Sequence, residues 1–205
     1  MVITNPAFTA VDFLNVLNEF GRQIGHSSIT KTLSNLTNKE TLTEATPTAI
    51  TAYFVRTSQS WDYDKAGLFE KGQAIMLAKY EDGVAKDDII YADGTNKVIF
   101  SIEGTATTIT IFCTGHGVTA GDTVLILDTT NYDGSYTVAS VTNANTFVIT
   151  DNAHNYSAEA GAHLMVNYTK FRIKETWPVV GTFAPNDAGT DYVYTVNSLF
   201  IENGS

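Results

Sequence analysis

Two residues at a glycine-rich turn have the side chains that acid–base chemistry needs. His116 and Asp122 flank the turn Gly115–Gly121, and a histidine beside a carboxylate can move protons near neutral pH. The other histidines stand at positions 26, 154 and 163, and none has a second cysteine or histidine at a metal-binding spacing. A histidine that supports the turn is therefore favoured over a metal ligand or a catalytic base.

Carboxylates are the second candidate, because two acids that flank a cleft can hydrolyse glycosidic bonds. The acids that stand near one another are Asp62, Asp64, Asp82, Asp87 and Asp88. All fall in segments that read as loops of an acidic protein, where solvated surface is the default. The sequence has no nucleophile elbow, phosphate-binding loop or dinucleotide fingerprint. It predicts no catalytic, metal-binding or cofactor-binding residue and a protein that is not an enzyme.

Length and charge restrict the class of protein further. The 205 residues can hold one generous domain or two small ones. A net charge of −10 without a basic cluster argues against sequence-independent DNA binding, which needs Lys and Arg to displace counterions. The single cysteine, Cys113, excludes an internal disulfide and lies in an apolar run, which predicts a buried and inert thiol. The apolar runs are too short for a bilayer span, and no signal-peptide pattern is present, so we expect a soluble protein made in a cytoplasm, with no membrane partner.

The elements that must position these residues are one helix and many short strands. Val11, Leu14, Leu17 and Phe20 recur every three residues, which predicts a helix at Phe8–Phe20. Such a helix can pack on its own domain, the favoured alternative, or dock into a neighbour. Alternation predicts a half-buried strand at Ser27–Leu36, a hairpin loop at Asn38–Pro47, strands at Thr48–Arg56 and Ala74–Tyr80, and a hairpin that joins Ile89–Tyr91 to Val98–Ile102 through Asp93-Gly94.

The stretch Cys113–Thr150 reads as a compact β unit with a turn at each expected place. Its strands are predicted at Ile109–Cys113, Thr123–Leu127, Ser135–Val141 and Thr146–Thr150. The unit interrupts a β pattern that resumes in the strand pair Thr169–Lys174 and Tyr192–Phe200. The sequence therefore predicts a discontinuous domain, 1–100 plus 168–205, with an inserted β module at 101–167.

The polar loop Ser58–Lys71 contains three aromatic residues, Trp61, Tyr63 and Phe69. Either the loop folds back and buries them, or they form a contact surface for a partner, where aromatic residues are enriched. The two interpretations stand about equal on the sequence alone.

Several sequence motifs stand on either side of the module, and they can be read as one series when the module is left out. They run FGRQIGHSSITKTLSN, ATPTAITAYFVRT, GLFEKGQAIMLA and GVAKDDIIYADGTNKV, then KFRIKET and YVYTVNSLFI. The motif positions are Phe69–Gly72, Asp87-Asp88, Asp93-Gly94 and Phe171–Ile173. Joined together, these flanks resemble the head-closure (stopper) family of tailed bacteriophages, although Gln73 stands where that family has Asp and Asp87 where it has Gly. The module separately resembles small β repeats of phage virion proteins.

The resemblance implies a mainly β fold, in which a small stopper-like β-barrel with a short N-terminal helix is interrupted by a small antiparallel β domain. It also implies a structural protein of the virion neck, at the head–tail interface, without cofactors. The expected partners are further copies in a ring, usually six, the portal or adaptor ring above and tail proteins below. Phage DNA would pass through the ring without specific binding.

The resemblance also suggests where contacts form. The family's channel-closing loop matches Arg56–Lys71, and its candidate residues are Ser58, Gln59, Trp61, Asp62, Tyr63, Asp64 and Phe69. The candidates for docking to the adaptor ring or tail are the helix residues Phe8, Val11, Leu14, Leu17 and Phe20, together with the loop Asn38–Pro47.

A carbohydrate- or receptor-binding module of a tail fibre, a baseplate or a capsid decoration is the competing interpretation, and a capsid decoration or tail-tube protein without that binding role is a third. The competing interpretation requires Tyr132, Tyr136 and Phe147 to present an exposed platform on which sugars stack. The alternation of the module's strands predicts that at least Tyr136 and Phe147 belong to the core instead.

Overall fold

The computed structural model describes residues 15, 17–33, 39–56, 74–79, 82–105, 107–150, 156–173, 177–179, 194–196 and 199–201. The described part of the protein is mainly β, and its sheets are curled into half-barrel shapes. The predicted fold class, mainly β and barrel-like with a short helix, is confirmed.

The described part of the predicted N-terminal helix is its last turn. Residues 15 and 17–20 are helical, and the Gly21 N–H donates a 2.8 Å hydrogen bond to the Leu17 carbonyl. The regular elements described after it are strands, apart from a one-residue helical turn at Asp82. They are β1 (Arg22–Ser27), β2 (Ile29–Leu33), β3 (Glu40–Glu44), β4 (Thr48–Arg56), β5 (Ala74–Ala78), β6 (Ile89–Ala92), β7 (Thr95–Val98), β8 (Ser101–Gly104), β9 (Thr108–Phe112), β10 (Thr123–Leu127), β11 (Gly134–Asn143), β12 (Thr146–Thr150), β13 (His163–Val166), β14 (Thr169–Ile173), β15 (Trp177–Val179), β16 (Tyr194–Val196) and β17 (Leu199–Ile201).

The chain separates into two compact units. Unit 1 comprises Met1–Ala45, Ile50–Ile90 and Lys170–Ser205, and unit 2 comprises Thr46–Ala49 and Tyr91–Thr169. That residues 101–167 form an insertion into an older domain, 1–100 plus 168–205, stays a prediction.

Unit 1 is built on a six-stranded sheet with the order β17-β14-β6-β1-β4-β5. The inward positions of β4 alternate, so that Ile50 and Ala52 are buried, and Ala52 lies opposite the buried Ala78 of β5. Phe54 of β4 packs on Phe171 of β14, with ring centroids 4.9 Å apart. Two further pairs, β2–β3 and β15–β16, form separate two-stranded sheets.

Unit 2 is built on a seven-stranded sheet with the order β7-β13-β10-β11-β12-β9-β8. Its two outermost strands, β7 and β8, are consecutive in the chain. The Ile99 N–H donates to the Ala162 carbonyl beside β13, and the Phe100 N–H donates to the Phe112 carbonyl of β9. The bent segment Thr95–Gly104 therefore changes partners at residues 99–100 and joins the two edges of the sheet, which leaves a barrel-like unit.

The interior of unit 2 is filled by alternate side chains of its strands. The cluster consists of Ile99, Ile102, Ile109, Ile111, Cys113, Val118, Val124, Ile126, Tyr132, Val138, Phe147, Ile149, Ala162, Leu164 and Val166. Cys113 is buried, which confirms the buried cysteine that the sequence predicts, and this burial raises the pKa of its thiol.

The predicted hairpin at Asp93-Gly94 is wrong. Strand β6 lies in the sheet of unit 1, whereas β7 pairs with β13 in the sheet of unit 2. Gly94 is needed because a Cβ there would stand 2.5 Å from Cγ of Met165. The dipeptide therefore marks a close approach to β13, a strand that the sequence analysis missed, and not a two-residue hairpin turn.

Candidate functional site

An exposed strand pair in unit 1 is the antiparallel pair of Ile29–Leu33 and Glu40–Glu44, here named the ribbon. Its register places Ile29 opposite Glu44, Lys31 opposite Leu42 and Leu33 opposite Glu40. All residues of the ribbon are exposed except Ile29, which is half-buried. The predicted half-buried strand at Ser27–Leu36 and the predicted loop at Asn38–Pro47 are thus partly wrong, because both contribute a strand that is open to solvent.

The two faces of the ribbon differ in chemistry. One face, the threonine face, consists of Thr30, Thr32, Thr41 and Thr43. The other, the leucine face, consists of Ile29, Lys31, Leu33, Glu40, Leu42 and Glu44. Leu33 is 60% exposed and Leu42 is 44% exposed, and the two are diagonal neighbours across the pair. An exposed leucine pair between charges is a typical feature of a contact surface.

A buried carboxylate holds the base of the ribbon. Asp88 is only 3% exposed, and its Oδ1 accepts a 3.1 Å hydrogen bond from the Ile29 N–H. Its Oδ2 accepts from Nε2 of His26 at 2.9 Å and from the Ala85 N–H at 2.8 Å. The expectation of solvated surface is therefore wrong for Asp88. Three donors satisfy this carboxylate, as burial of a charged group requires.

Backbone and hydroxyl bonds complete the base. Oγ of Ser27 donates to the Ala45 carbonyl at 2.9 Å, and the Ala45 N–H donates to the Ser28 carbonyl at 2.9 Å. The residue after β3 is thereby tied to the end of β1, at the same end of the ribbon as the Ile29 bond to Asp88. The ribbon is anchored at one end, while its two faces stay accessible.

Ion pairs flank the ribbon on both strands. Lys31 of β2 bonds to Oδ2 of Asp87 at 2.5 Å, and Lys170 of β14 stands 3.2 Å from Oε2 of Glu44 on β3. The bond between Lys31 and Asp87 lowers the pKa of the Asp87 carboxyl and raises the pKa of the Lys31 ammonium. Both pairs are solvent-exposed, so they orient the ribbon more than they stabilise the fold.

The predicted docking helix is described at two of its five candidate residues. Leu17 is 2% exposed and therefore packs within its own unit, while Phe20 is 54% exposed and meets Tyr53 edge-on at 6.4 Å. Phe8, Val11 and Leu14 lie outside the described residues. The same holds for all candidates of the channel-closing loop, namely Ser58, Gln59, Trp61, Asp62, Tyr63, Asp64 and Phe69. Docking and channel closure both stay predictions.

The side chains of His116 and Asp122, which suggested acid–base chemistry, hydrogen-bond to the backbone of unit 2. His116 is buried, Nδ1 accepts the Val118 N–H at 3.1 Å, and Nε2 donates to the Asn143 carbonyl at 2.9 Å. Oδ2 of Asp122 accepts the Thr119 N–H at 2.7 Å. Each side chain closes its own part of the loop, which confirms the prediction of a histidine that supports the turn.

The aromatic residues of the competing interpretation are occupied by the core of unit 2. Tyr132 and Phe147 have no exposed surface, and Tyr136 packs against the same cluster. The Tyr132 hydroxyl accepts from the Gly104 N–H at 3.1 Å and donates to the Tyr156 carbonyl at 2.8 Å. These three rings do not form an exposed stacking platform.

Neither metal coordination nor membrane spanning is indicated in the part of the chain that the structure describes. No group of three or more His, Cys, Asp or Glu side chains there is placed to hold a metal ion. No helix among the same residues has the length and apolar character needed to cross a bilayer. No protein-family model matches the chain, and no curated protein is similar to it in sequence.

The ribbon as a unit was missed by the sequence analysis, although a signal for it exists. The pentapeptides ITKTL and ETLTE both place threonine at the second and fourth positions, as two partnered strands with a shared polar face would. Recognising this mirrored pattern would have predicted the pairing. It would not have predicted the burial of Asp88, which depends on β1 and β14 packing around it.

Proposed function

We propose that this protein is a structural protein of the neck of a tailed bacteriophage. It forms a homo-oligomeric ring, docks under the portal or adaptor, closes the DNA channel after packaging and provides the platform for tail attachment. The observation that carries the proposal is the ribbon, a firmly anchored β pair whose leucine face is exposed in the part of the chain that the structure describes. Assembly proteins need such a surface, and β3 of the ribbon contains half of the segment Asn38–Pro47 that the sequence marks for docking.

A backbone detail supports the resemblance to the head-closure family. Asp87 stands where the family has glycine, and its φ is 75°. Glycine adopts that left-handed conformation without strain, and aspartate is among the residues that tolerate it. The departure from the family motif is therefore conservative in backbone terms.

Charge supports passage of DNA without adhesion. Each chain carries a net charge of −10, so that a ring of six copies has about sixty excess negative charges. Such a lumen repels phosphate and lets DNA slide. Retention is then steric, and the aromatic-rich loop of Arg56–Lys71 is the proposed barrier.

The first experiment measures assembly. Purified protein is analysed by native mass spectrometry alone and after mixing with the portal–adaptor complex of the same phage. We expect a closed ring, stabilised by the connector. A protein that ignores the connector and binds glycans on an array would overturn the proposal in favour of receptor binding.

The second experiment addresses channel closure. A phage that lacks the protein is complemented with the wild-type chain or with a deletion of Gln59–Asp64. We expect the deletion to yield heads that package DNA and then lose it, scored as nuclease-sensitive DNA per head. Alanine replacement of Trp61, Tyr63 and Phe69 separates the aromatic rings from loop length. Full retention by the deletion would remove the closing role from this loop.

A further inference from the structure

We infer that the ribbon is the arm that joins one copy of this chain to the next, by pairing the free edge of β3 with the free edge of β2 from a neighbouring copy. The inference rests on the proposed ring and adds the surface and the register by which it closes. A head-to-tail contact of this kind repeats from copy to copy and forms a ring when its rotation closes.

The first support is that, among the described residues, each strand of the ribbon has an edge without a strand partner, apart from the Ile29 N–H of β2, which donates to Asp88. Among the described strands, β2 pairs with β3 and β3 pairs with β2, so each has one side without a strand partner. Unpaired backbone N–H and C=O groups on an exposed edge are a template for strand addition. The edges of the sheet in unit 2, by contrast, are joined through residues 99–100.

The second support is that the two strands have complementary charge. Strand β2 carries one charge, Lys31, and β3 carries two of opposite sign, Glu40 and Glu44. Antiparallel pairing of β3 with β2 of the next copy, in the register of the ribbon itself, sets Lys31 opposite Leu42 and diagonal to both glutamates. Opposite charges at such positions favour pairing.

Symmetric alternatives fail the same test. Two β3 strands paired antiparallel about Leu42 would place Glu40 of each copy opposite Glu44 of the other. Two β2 strands paired about Lys31 would place the two ammonium groups opposite each other. Like charges in these positions oppose association, so the charge pattern favours the head-to-tail contact over these two centred symmetric contacts.

The third support is the exposure of the leucine face. In the head-to-tail register Leu42 becomes a diagonal neighbour of Leu33 in its own ribbon and of Leu33 in the next copy. The two leucines, 60% and 44% exposed in one chain, then form a continuous apolar stripe around the ring. The threonine face continues in the same way on the opposite side.

A charge-reversal experiment tests the pairing. Lys31→Glu creates repulsion at every junction of a ring made only of that variant, and so does the double variant Glu40→Lys, Glu44→Lys. We expect each alone to associate at least about tenfold more weakly than wild type by sedimentation velocity. An equimolar mixture restores assembly, because each junction then unites opposite charges. A merely misfolded variant cannot produce that rescue.

Two controls isolate the ribbon. Glu103→Lys makes the same charge change at an exposed site of unit 2 and should leave association unchanged. Lys170→Ala removes the ion pair with Glu44 without reversing charge on the ribbon and should also associate as wild type does. Loss of assembly in either control would contradict a specific charge match.

Cysteine cross-linking tests the register. Thr30 and Thr43 face each other within one ribbon, and the proposed junction repeats that pair between copies. Mixed Thr30→Cys and Thr43→Cys proteins should form an interchain disulfide, while neither alone should, since the native Cys113 is buried. Equal cross-linking in the single-variant samples would overturn the register.

The outcomes separate the arm from the proposed function. If the ring still assembles with every ribbon variant, the inference about the ribbon is wrong, while the proposed neck function is unaffected. A ribbon-dependent ring that ignores the portal–adaptor complex keeps the arm and overturns the neck role. A wild-type protein that is monomeric both alone and with the connector overturns both.

Discussion

Two antiparallel strand pairs, the ribbon of unit 1 and the pair β11–β12 of unit 2, contain similar residues but differ in whether their apolar side chains are buried. Both are rich in threonine and carry apolar side chains at alternate positions. In β12, Phe147 and Ile149 are fully buried, whereas Leu33 and Leu42 in the ribbon are largely exposed. The difference teaches that alternation specifies two faces of a strand but not which face, if either, is covered.

The charges on the shared face explain the contrast. Lys31, Glu40 and Glu44 stand on the same face as the leucines of the ribbon, and burying that face would require desolvating all three. The apolar face of β12 has no charged residue among its own side chains. A core can therefore cover one pair and not the other.

The largest loss of stability is expected from a substitution in the buried strand β12. Phe147→Ala removes a fully buried ring that packs 5.0 Å from His116, and the free energy of unfolding should fall by about 3–5 kcal/mol. Urea unfolding followed by circular dichroism measures it. The matched change Leu33→Ala in the ribbon, at protein concentrations where copies are dissociated, should stay within about 0.5 kcal/mol of wild type. Equal losses would mean that the leucine face is covered within one chain.

The anchoring of the ribbon should give the next largest effect. Asp88→Ala leaves three donors, including the Ile29 N–H, without their acceptor, and the free energy of unfolding should fall by about 3 kcal/mol. Asp82→Ala serves as the control, because the Asp82 carboxylate is half-buried and accepts one hydrogen bond, from the Lys79 N–H at 3.2 Å. This variant should lower the free energy of unfolding by about 1 kcal/mol. A loss from Asp88→Ala no larger than that of the control would contradict the anchoring network.

Removing one buried hydroxyl in unit 2 is expected to lower the free energy of unfolding by less. Tyr132→Phe keeps the buried ring and removes the group that bonds to the Gly104 N–H and the Tyr156 carbonyl, at a cost of about 1–2 kcal/mol in chemical unfolding. Tyr168→Phe, which removes an exposed bond to Ser135, should change stability by less than about 0.5 kcal/mol. Similar costs for both variants would contradict the role of burial.

The smallest expected effect is a difference in pH dependence between two aspartates. Burial at the turn before β11 raises the pKa of Asp133 above its ordinary 3.8, so its stabilising contribution is complete below 3.8 and is lost as pH rises through the folded value. The bond to Lys31 lowers the pKa of Asp87, so its contribution is present above 3.8 and is lost as pH falls through the folded value.

Replacing each aspartate by the neutral asparagine should change the free energy of unfolding in opposite directions. Asp133→Asn should raise the free energy of unfolding at pH 7 by less than about 1 kcal/mol, since the group is half-buried, and the gain should shrink towards pH 3. Asp87→Asn should lower it slightly at pH 7, with the deficit also shrinking as pH falls. Shifts of the same sign in the two variants would contradict the opposite environments.

Local pattern alone determined the mainly β class and several strands to the residue. Thr48–Arg56, Thr123–Leu127 and Thr146–Thr150 are observed as predicted, because side chains alternate with a period of two in any strand, whatever packs on it. The buried Cys113 and the loop-supporting His116 were also predictable, since their neighbours in the chain supply the apolar run and the turn.

Only the tertiary structure decided what lies against each strand. It placed β6 and β7 in different sheets despite Asp93-Gly94, buried Asp88 beneath the ribbon, and left Leu33 and Leu42 in solvent. These outcomes depend on contacts between residues far apart in the chain, such as Asp88 with His26, which no local pattern encodes. Alternation made the ribbon a pair of strands, and the charges that no core could cover made it an exposed one.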